Sequence, residues 1–295
     1  MQIPTSSNEH GCEYSNETIR LLNERASLRN FSTKPVTDDV LDEVLSAGLH
    51  SASGGNLQPF SVIVVRDTSI SSKLAELCEG QAWIASAPLN LLFCIDFHRL
   101  ERMSELHAAP FTCHKSFRHF WISFQDTVIA AQSICTAADS LGLGSVYIGT
   151  VLECFRELKS LFELPRLVFP VVLLSLGYPE ESRRMAPKLN KDAVVHMGKY
   201  RHIPDDELEA MYNEKYSAFV GGATDEKVAT IRAVCRTVGG GELEEKAMKR
   251  IAEKSLISIM QFYFGLHYRA DDMQQNNAEF FQIIREFGFE WFEPK

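Results

Sequence analysis

The sequence predicts a core of the α/β or α+β class, followed by an extension that is helical throughout. Four short apolar runs rich in β-branched residues alternate with helical patterns in the first two thirds of the chain. The remaining third carries helical patterns separated by glycine-rich and polar breaks. We therefore expect a core over residues 17–203 and a helical extension over residues 204–295.

The predicted core begins with a short helix over residues 17–24 and an alternating, extended segment over residues 25–31. Thr37 is expected to cap the next helix, because its hydroxyl can accept a hydrogen bond from the first turn and two aspartates follow at the positive end of the dipole. The turn-forming residues 51–59 then lead into the first strand, over residues 60–65.

Three further helices and three further strands complete the predicted core. The best-supported helix runs over residues 117–141, where apolar side chains recur every three or four positions. The other elements are helices over residues 70–78 and 153–163 and strands over residues 89–95, 146–148 and 168–176.

The predicted extension is a series of helices that ends in a segment crowded with aromatic residues. Its helices are expected over residues 205–215, 225–236, 242–264 and 275–287. The run Gly239–Gly241 is interpreted as a flexible linker, since the glutamates that follow it would repel a phosphate. The many aromatics after residue 279 would form a large apolar patch if exposed, so we expect the extension to pack on the core or on a partner subunit.

Charge and composition exclude several classes of function. A formal net charge of −9 argues against sequence-independent binding of nucleic acid, which needs a cationic surface. The apolar runs are too short or too interrupted to span a bilayer. Seven scattered cysteines without a C-x-x-C pair indicate reduced thiols in a cytoplasmic protein. The nine histidines lack paired ligand spacing, so no metal site is expected.

The glycines between Gly142 and Gly149 partly match a dinucleotide-binding fingerprint. In that fingerprint the glycines follow a strand and open a helix, whereas here they close a helix and open a strand. We therefore interpret Gly142 as a helix C-cap and reject the dinucleotide fold. Gly149 can still let a planar ligand approach the backbone closely.

A second motif is Arg25-x-Ser27-x-Arg29. Alternate side chains of an extended segment share one face, so two guanidinium groups and a hydroxyl would lie together, which suits a phosphate. A solvated surface is the open alternative. The chain carries no nucleophile elbow and no Walker loop, which favours chemistry carried by a cofactor.

Together the motifs resemble the nitroreductase family, and within it the oxygen-insensitive NAD(P)H nitroreductases and flavin reductases. The resemblance covers about residues 20–203 and rests on the order and spacing of its parts. These parts are Arg25-x-Ser27-x-Arg29-x-Phe31, Pro35, Ser51–Pro59, Gly80-Gln81, Asp126–Tyr147 with the following Ile148-Gly149, Leu176–Pro179, and Ala193–His196 before Tyr200.

The resemblance implies an α+β fold with a central mixed sheet surrounded by helices. It also implies a homodimer with one FMN at each subunit interface. NADPH or NADH would serve as reductant, and a ping-pong hydride relay would end on a small-molecule acceptor such as a nitroaromatic, a quinone or a free flavin. Two alternatives stay open: a specialised flavin-fragmenting or dehalogenating relative, and a non-catalytic module that binds flavin or a partner.

The resemblance also assigns roles to residues around the phosphate. Arg25 and Ser27 would meet the FMN phosphate or ribityl chain, and Lys188 would meet the phosphate. Arg29 would lie near the pyrimidine edge and tune the flavin. Relatives carry a basic residue where this chain has Ala186; Arg183 and Arg184 are candidates to replace it. No match to the arginines that bind the NADPH 2′-phosphate is present in the sequence.

Around the flavin ring the resemblance assigns a second set of residues. Ser53 and Gly54 would reach the cofactor of the other subunit, and Gln81 would hydrogen-bond the ring. The residues that would lie along the isoalloxazine are Tyr147, Ile148 and Gly149.

Overall fold

The structure is a computed structural model and describes residues 14–181, 185–273 and 275–292. Its centre is a four-stranded sheet in the order β1-β2-β4-β3. Each strand coincides with a predicted apolar run to within two residues. The strands are β1 Phe60–Val65, β2 Leu89–Asp96, β3 Gly144–Ile148 and β4 Val168–Gly177.

Helices surround the sheet and continue beyond it, so the α+β class is confirmed. In the described part of the chain they are α1 Glu17–Glu24, α2 Asp38–Leu49, α3 Thr68–Leu77, α4 Ala82–Ser86, α5 His98–Leu106, α6 Phe117–Ser140, α7 Phe155–Leu161, α8 Asp205–Lys215, α9 Asp225–Lys254, α10 Ile259–Phe262 and α11 Asn277–Glu286. The sequence did not predict α4 or α5. The first has five residues and the second buries none of its side chains, so neither has a strong apolar pattern.

The expected mixed sheet is corrected by the strand directions. All three pairs of strands in the described sheet are antiparallel. Within the part of the chain that the structure describes, parallel pairing is limited to one isolated bridge, between Ser27 and Ser145. The sequence could not reveal this, because strands buried on both faces are continuous apolar runs whichever way they point. Every residue of β2 is buried here.

Side chains of β2 alternate between two apolar layers. Leu89, Leu91 and Phe93 belong to the layer shared with α2 and α6. Leu92 and Cys94 belong to the opposite layer, with α3, α4 and α7. The sheet is therefore covered on both faces, which leaves its edges as the places where backbone can meet a ligand or another segment.

Local chemistry determines where several helices begin and end. The hydroxyl of Thr37 accepts a hydrogen bond from the Val40 amide at 3.5 Å, as the sequence predicts. After α6, Gly142 has φ +79° and donates to the Asp139 carbonyl at 3.1 Å, while Leu143 donates to the Ala138 carbonyl at 2.9 Å. This is a Schellman cap, and it confirms the interpretation of Gly142 as a helix end.

The chain divides into two compact units. One unit combines Met1–Met185 with Phe281–Lys295, and the other is Ala186–Phe280. In the first unit, the aromatic segment after α11 enters the core. Phe287 and Phe289 are fully buried there, and both rings make edge-on contacts with the ring of Phe169.

The second unit has a small core centred on Ile231, Ile251 and Ile257. The run predicted to be a flexible linker is instead a sharp break inside α9, where Gly240 adopts φ +66°. The two halves of α9 are joined across this break by Glu244, which is nearly buried and bonds Arg236 at 2.6 Å. This charge-assisted contact spans the break.

We expect Phe287→Ala to lower the free energy of unfolding by about 3–5 kcal/mol, because it leaves a cavity beside Phe169. The matched control is Phe281→Ala in the same segment. Phe281 is 40% exposed, so its loss should cost about 1 kcal/mol or less. Urea denaturation of both variants measures the difference. If Phe287→Ala lowers the free energy of unfolding as little as Phe281→Ala does, the segment does not belong to the core.

Candidate functional site

An extended segment lies along the exposed edge of the sheet, beside β3. The Leu28 amide donates to the Ser145 carbonyl at 2.9 Å, and Ser27 bridges Ser145. Ala26 and Leu28 are buried, whereas Ser27 and Arg29 are exposed. The predicted alternation over this segment is therefore present, with its polar side chains on the outer face.

Arg25 and Ser27 form a small polar group at the start of β3. Arg25 Nη2 lies 3.5 Å from Ser27 Oγ, and its Nη1 lies 4.0 Å from the Cys135 sulfur. Both distances are long, so most of the donor capacity of this guanidinium stays available among the described residues. The sulfur of Cys135 lies 3.1 Å from Ser145 Oγ, which ties α6 to the strand beneath the group.

Tyr147 extends the group along β3. Its hydroxyl donates to Gln132 Oε1 of α6 at 3.4 Å. Burial raises the pKa of Tyr147 above its usual value, with a smaller contribution from Cys135. The phenol is therefore neutral at physiological pH and acts as a hydrogen-bond donor.

A second polar group lies at the far end of β3. Gln81 Nε2 donates to Thr150 Oγ1 at 2.8 Å, and Thr150 is the second residue after the end of β3. The Arg29 guanidinium lies 5.5 Å from the centre of the Trp83 ring, and Trp83 follows Gln81 by two residues. Through Trp83, the structure brings Arg29 close to the segment that carries Gln81.

Gly149 forms a bare patch of backbone between the two groups. Its φ of −84° is one that any residue adopts, and a Cβ placed on it would meet no atom of the described residues within 4 Å. Open space at this position suits a flat ligand. The side chain of Ile148 is buried in the core, so its backbone is the part available at the edge.

Ser53 and Gly54 do not join these groups within one chain. The Gly54 amide donates to both carboxylate oxygens of Asp126, at 3.1 and 3.0 Å, and Ser53 Oγ accepts from the Gln58 amide. Asp126 precedes Cys135 by nine residues on α6, which places it about 14 Å away along the helix axis. The loop is therefore held separately from the Arg25 group.

The remaining predicted phosphate ligands lie elsewhere in the chain. Lys188 belongs to the second unit and is exposed, as is Ala186. Arg183 and Arg184 lie outside the described residues.

Several residues of the site escaped the sequence analysis. Trp83 and Thr150 lie within two positions of residues that it did select, and this proximity was the available signal. Cys135, Gln132 and Asp126 belong to the matched run Asp126–Tyr147, but the sequence analysis gave them no role, because only the packing of α6 brings them to the site.

Metal clusters and membrane-spanning helices are both absent from the described residues. No group of three or more histidine, cysteine or acidic side chains there has the geometry to hold a metal ion. No helix there is long and apolar enough to cross a membrane.

Comparison with known proteins gives a consistent result. A model of the Nitroreductase family matches residues 22–178. The chain is 35% identical to an FMN reductase of Bacillus subtilis, covering 72% of this chain and 86% of that protein. It is 33% identical to an oxygen-insensitive NADPH nitroreductase of Salmonella typhimurium, covering 68% and 82%.

A solved structure matches nearly the whole chain. The Bacillus subtilis oxidoreductase YcnD superposes with a TM-score of 0.70 at 30% identity, covering 93% of this chain and 98% of that one. Since the matched region reaches well beyond residue 203, the helical extension has a counterpart in that protein.

We expect Gly144→Ala to destabilise the edge of the sheet. A Cβ at this position would lie 2.6 Å from Leu28 Cδ2 and 2.9 Å from Leu28 Cβ, so the extended segment must move, at a cost of about 1–3 kcal/mol. Gly149→Ala is the matched control and should leave the unfolding free energy of the cofactor-free protein unchanged. In a Leu28→Ala background the same glycine substitution should cost less, because the Leu28 Cδ2 clash is gone; an equal cost in both backgrounds would rule out this contact.

Proposed function

The chain belongs to the nitroreductase family, and from that premise we propose that it is an FMN-dependent oxidoreductase. It takes hydride from NADPH or NADH and delivers it to a small acceptor such as a nitroaromatic, a quinone or a free flavin. The names of the two curated relatives, an NAD(P)H-dependent FMN reductase and an NADPH nitroreductase, support this activity.

The observation that carries the proposal is the order of groups along β3. Ser27 bridges Ser145 in the first half of β3, and Arg25 approaches Cys135 and Tyr147. Arg29 lies against Trp83, two residues after Gln81, whose side chain bonds Thr150 beyond the end of β3. Arg25 and Arg29 are separated by roughly 13 Å of extended backbone.

This arrangement fits FMN by the chemistry of its donors. The free donors of Arg25 and the hydroxyl of Ser27 suit the phosphate and ribityl oxygens. The absence of any atom within 4 Å of a Cβ on Gly149 leaves room for a ring system. When bound, FMN supplies the reversible acceptance of two electrons as hydride, which no side chain provides.

The residues of the chain then bind and orient. Arg29 supplies positive charge at the pyrimidine edge of the ring, and Gln81 supplies a hydrogen bond whose direction Thr150 restrains. Tyr147 donates from a neutral phenol and adds no negative charge beside the reducible ring. The site thus favours uptake of negative charge by its ligand without a protein nucleophile.

The proposal includes a cytoplasmic homodimer. The separate position of the Ser53–Gly54 loop, held by Asp126, supports a role for it at the cofactor of the other subunit. We include in the proposal that the extension over residues 204–295 packs on the core or the partner subunit. The burial of Phe287 and Phe289 supports this for the last residues. The six described cysteines are free, in keeping with a reducing compartment.

Two alternatives make different predictions for one assay. A non-catalytic flavin-binding module would bind FMN yet fail to oxidise NADPH or NADH in the presence of a nitroaromatic. A specialised flavin-fragmenting or dehalogenating relative would oxidise the nicotinamide only with its own substrate. Sustained turnover with several unrelated acceptors supports the broad reductase proposed here.

We expect the protein to bind one FMN per subunit, measured by flavin absorbance during titration. Gly149→Ala should weaken the affinity at least fivefold, because a methyl group against the ring costs about 1–3 kcal/mol and ~1.4 kcal/mol is tenfold. Thermal unfolding without FMN serves as the control and should not change. A protein that takes up no FMN refutes the proposed function.

Arg29→Ala should lower the two-electron reduction potential of the bound flavin by about 30 mV. A hydrogen bond to a charged group contributes about 1.5 kcal/mol, and ~30 mV corresponds to ~1.4 kcal/mol for two electrons. Arg29→Lys keeps the charge and should recover most of the potential. Redox titration measures all three proteins. An unchanged potential in the alanine variant means that Arg29 does not tune the flavin.

A further inference from the structure

Among the described residues, one cation of the proposed site is held by an aromatic ring instead of an acid. The Arg29 guanidinium lies 5.5 Å from the centre of the Trp83 ring. It makes no hydrogen bond and no ion pair with any other part of the chain that the structure describes. A cation at this distance is attracted by the negative face of an indole.

The way in which Arg29 is held leaves its charge and its donors available. An acid would neutralise the guanidinium and occupy N–H groups along its edge, as Glu207 does for Arg201 at 3.0 and 3.2 Å. An aromatic ring supplies no oxygen acceptor, so the N–H donors and the positive charge remain for a ligand. Arg29 therefore combines a restrained position with a charge that no described acid cancels.

Trp83 is itself fixed, because its short helix is tied to the centre of the sheet. It lies in α4, where the next residue, Ile84, is fully buried. The Ile84 carbonyl accepts from Asn90 Nδ2 at 3.0 Å, and Asn90 Oδ1 accepts from Ser175 Oγ at 2.6 Å. Asn90 belongs to β2 and Ser175 to β4, and both are fully buried. A satisfied buried network of this kind makes the elements that it joins rigid.

The backbone of Arg29 is fixed independently, on the other side of this contact. Its neighbour Leu28 is buried and donates to the Ser145 carbonyl at 2.9 Å, which ties the segment to β3. The mobile part is therefore the Arg29 side chain, which is exposed. An exposed arginine samples many rotamers, and attraction to a fixed ring reduces their number.

We propose that Trp83 is a positioning residue for reduction of the bound flavin, because its ring holds Arg29 in a rotamer that directs positive charge to the ligand side. The inference deepens the proposed function and rests on it, since Arg29 is placed there beside the pyrimidine edge of FMN. Reduction adds negative charge to this edge, so a positive charge of fixed position stabilises the reduced form more than the oxidised form. Trp83 acts through Arg29 and needs no contact with the reacting atoms.

The presence of tryptophan at this position supports a role beyond packing. Trp83 Nε1 is buried and has no hydrogen-bond partner among the described residues. An unpaired buried donor is unfavourable, and a phenylalanine would cover the same surface without one. Indole is also the side-chain ring that attracts cations most strongly. The residue present thus suits the holding of a cation better than it suits packing alone.

The first test detects the contact without FMN. NMR of the full-length protein without added FMN follows the side-chain Nε–Hε signal of Arg29, which is assigned by its loss in Arg29→Ala. We expect Trp83→Leu to move this signal toward that of an unrestrained arginine, because the ring current of the indole is lost. The matched control is Tyr178→Leu, which removes a ring 3.6 Å from the Lys34 ammonium and should leave the Arg29 signal in place. A signal that Trp83→Leu does not move overturns the proposal.

The second test measures the effect on the flavin by redox titration. Trp83→Leu should shift the balance of bound FMN about threefold toward the oxidised form, which is ~14 mV because ~30 mV is tenfold for two electrons. Trp83→Phe keeps an aromatic face and should recover most of this shift. In an Arg29→Ala background, Trp83→Leu should have no further effect, because Trp83 acts through Arg29.

The outcomes separate this inference from the proposed function. If FMN binds and Trp83→Leu leaves its potential unchanged, the positioning role is overturned and the proposed function stands. An equal shift in the Arg29→Ala background also overturns the positioning role, since Trp83 would then act on the flavin by another route. If the protein takes up no FMN, the proposed function fails and the positioning role fails with it, even where NMR detects the contact.

Discussion

The site depends on one contact, the docking of the segment containing Leu28 against the edge strand β3. The Leu28 amide bonds the Ser145 carbonyl, and its side chain fills the space that the missing Cβ of Gly144 leaves open. Burying alternate residues of an extended segment forces the others outward. Leu28 faces the core, so Arg25 and Arg29 face the opposite side, where we propose that the ligand binds. A side chain at position 144 would separate the two segments and scatter the polar group.

Helix α6 provides the second constraint, because it both covers the sheet and reaches the site. Ala131, Ile134 and Cys135 are buried against β2 and β4, and Cys135 also meets Ser145 at the strand edge. Further along the same helix, Asp126 holds the loop of Gly54. One helix thus determines the distance between two binding groups. Its burial makes that distance rigid, since a packed core resists sliding.

The sequence by itself determined the features that depend on neighbours within about four positions. The Thr37 cap, the Gly142 helix end, the four strands and the alternation of the Arg25–Arg29 segment are of this kind, because capping, left-handed backbone and period-two burial are local properties. Only the tertiary structure decided the antiparallel strand directions, the contact of Glu244 with Arg236 across the break of α9, and the approach of Asp126 to the Gly54 loop. These depend on contacts between distant residues, which packing selects and no local pattern encodes.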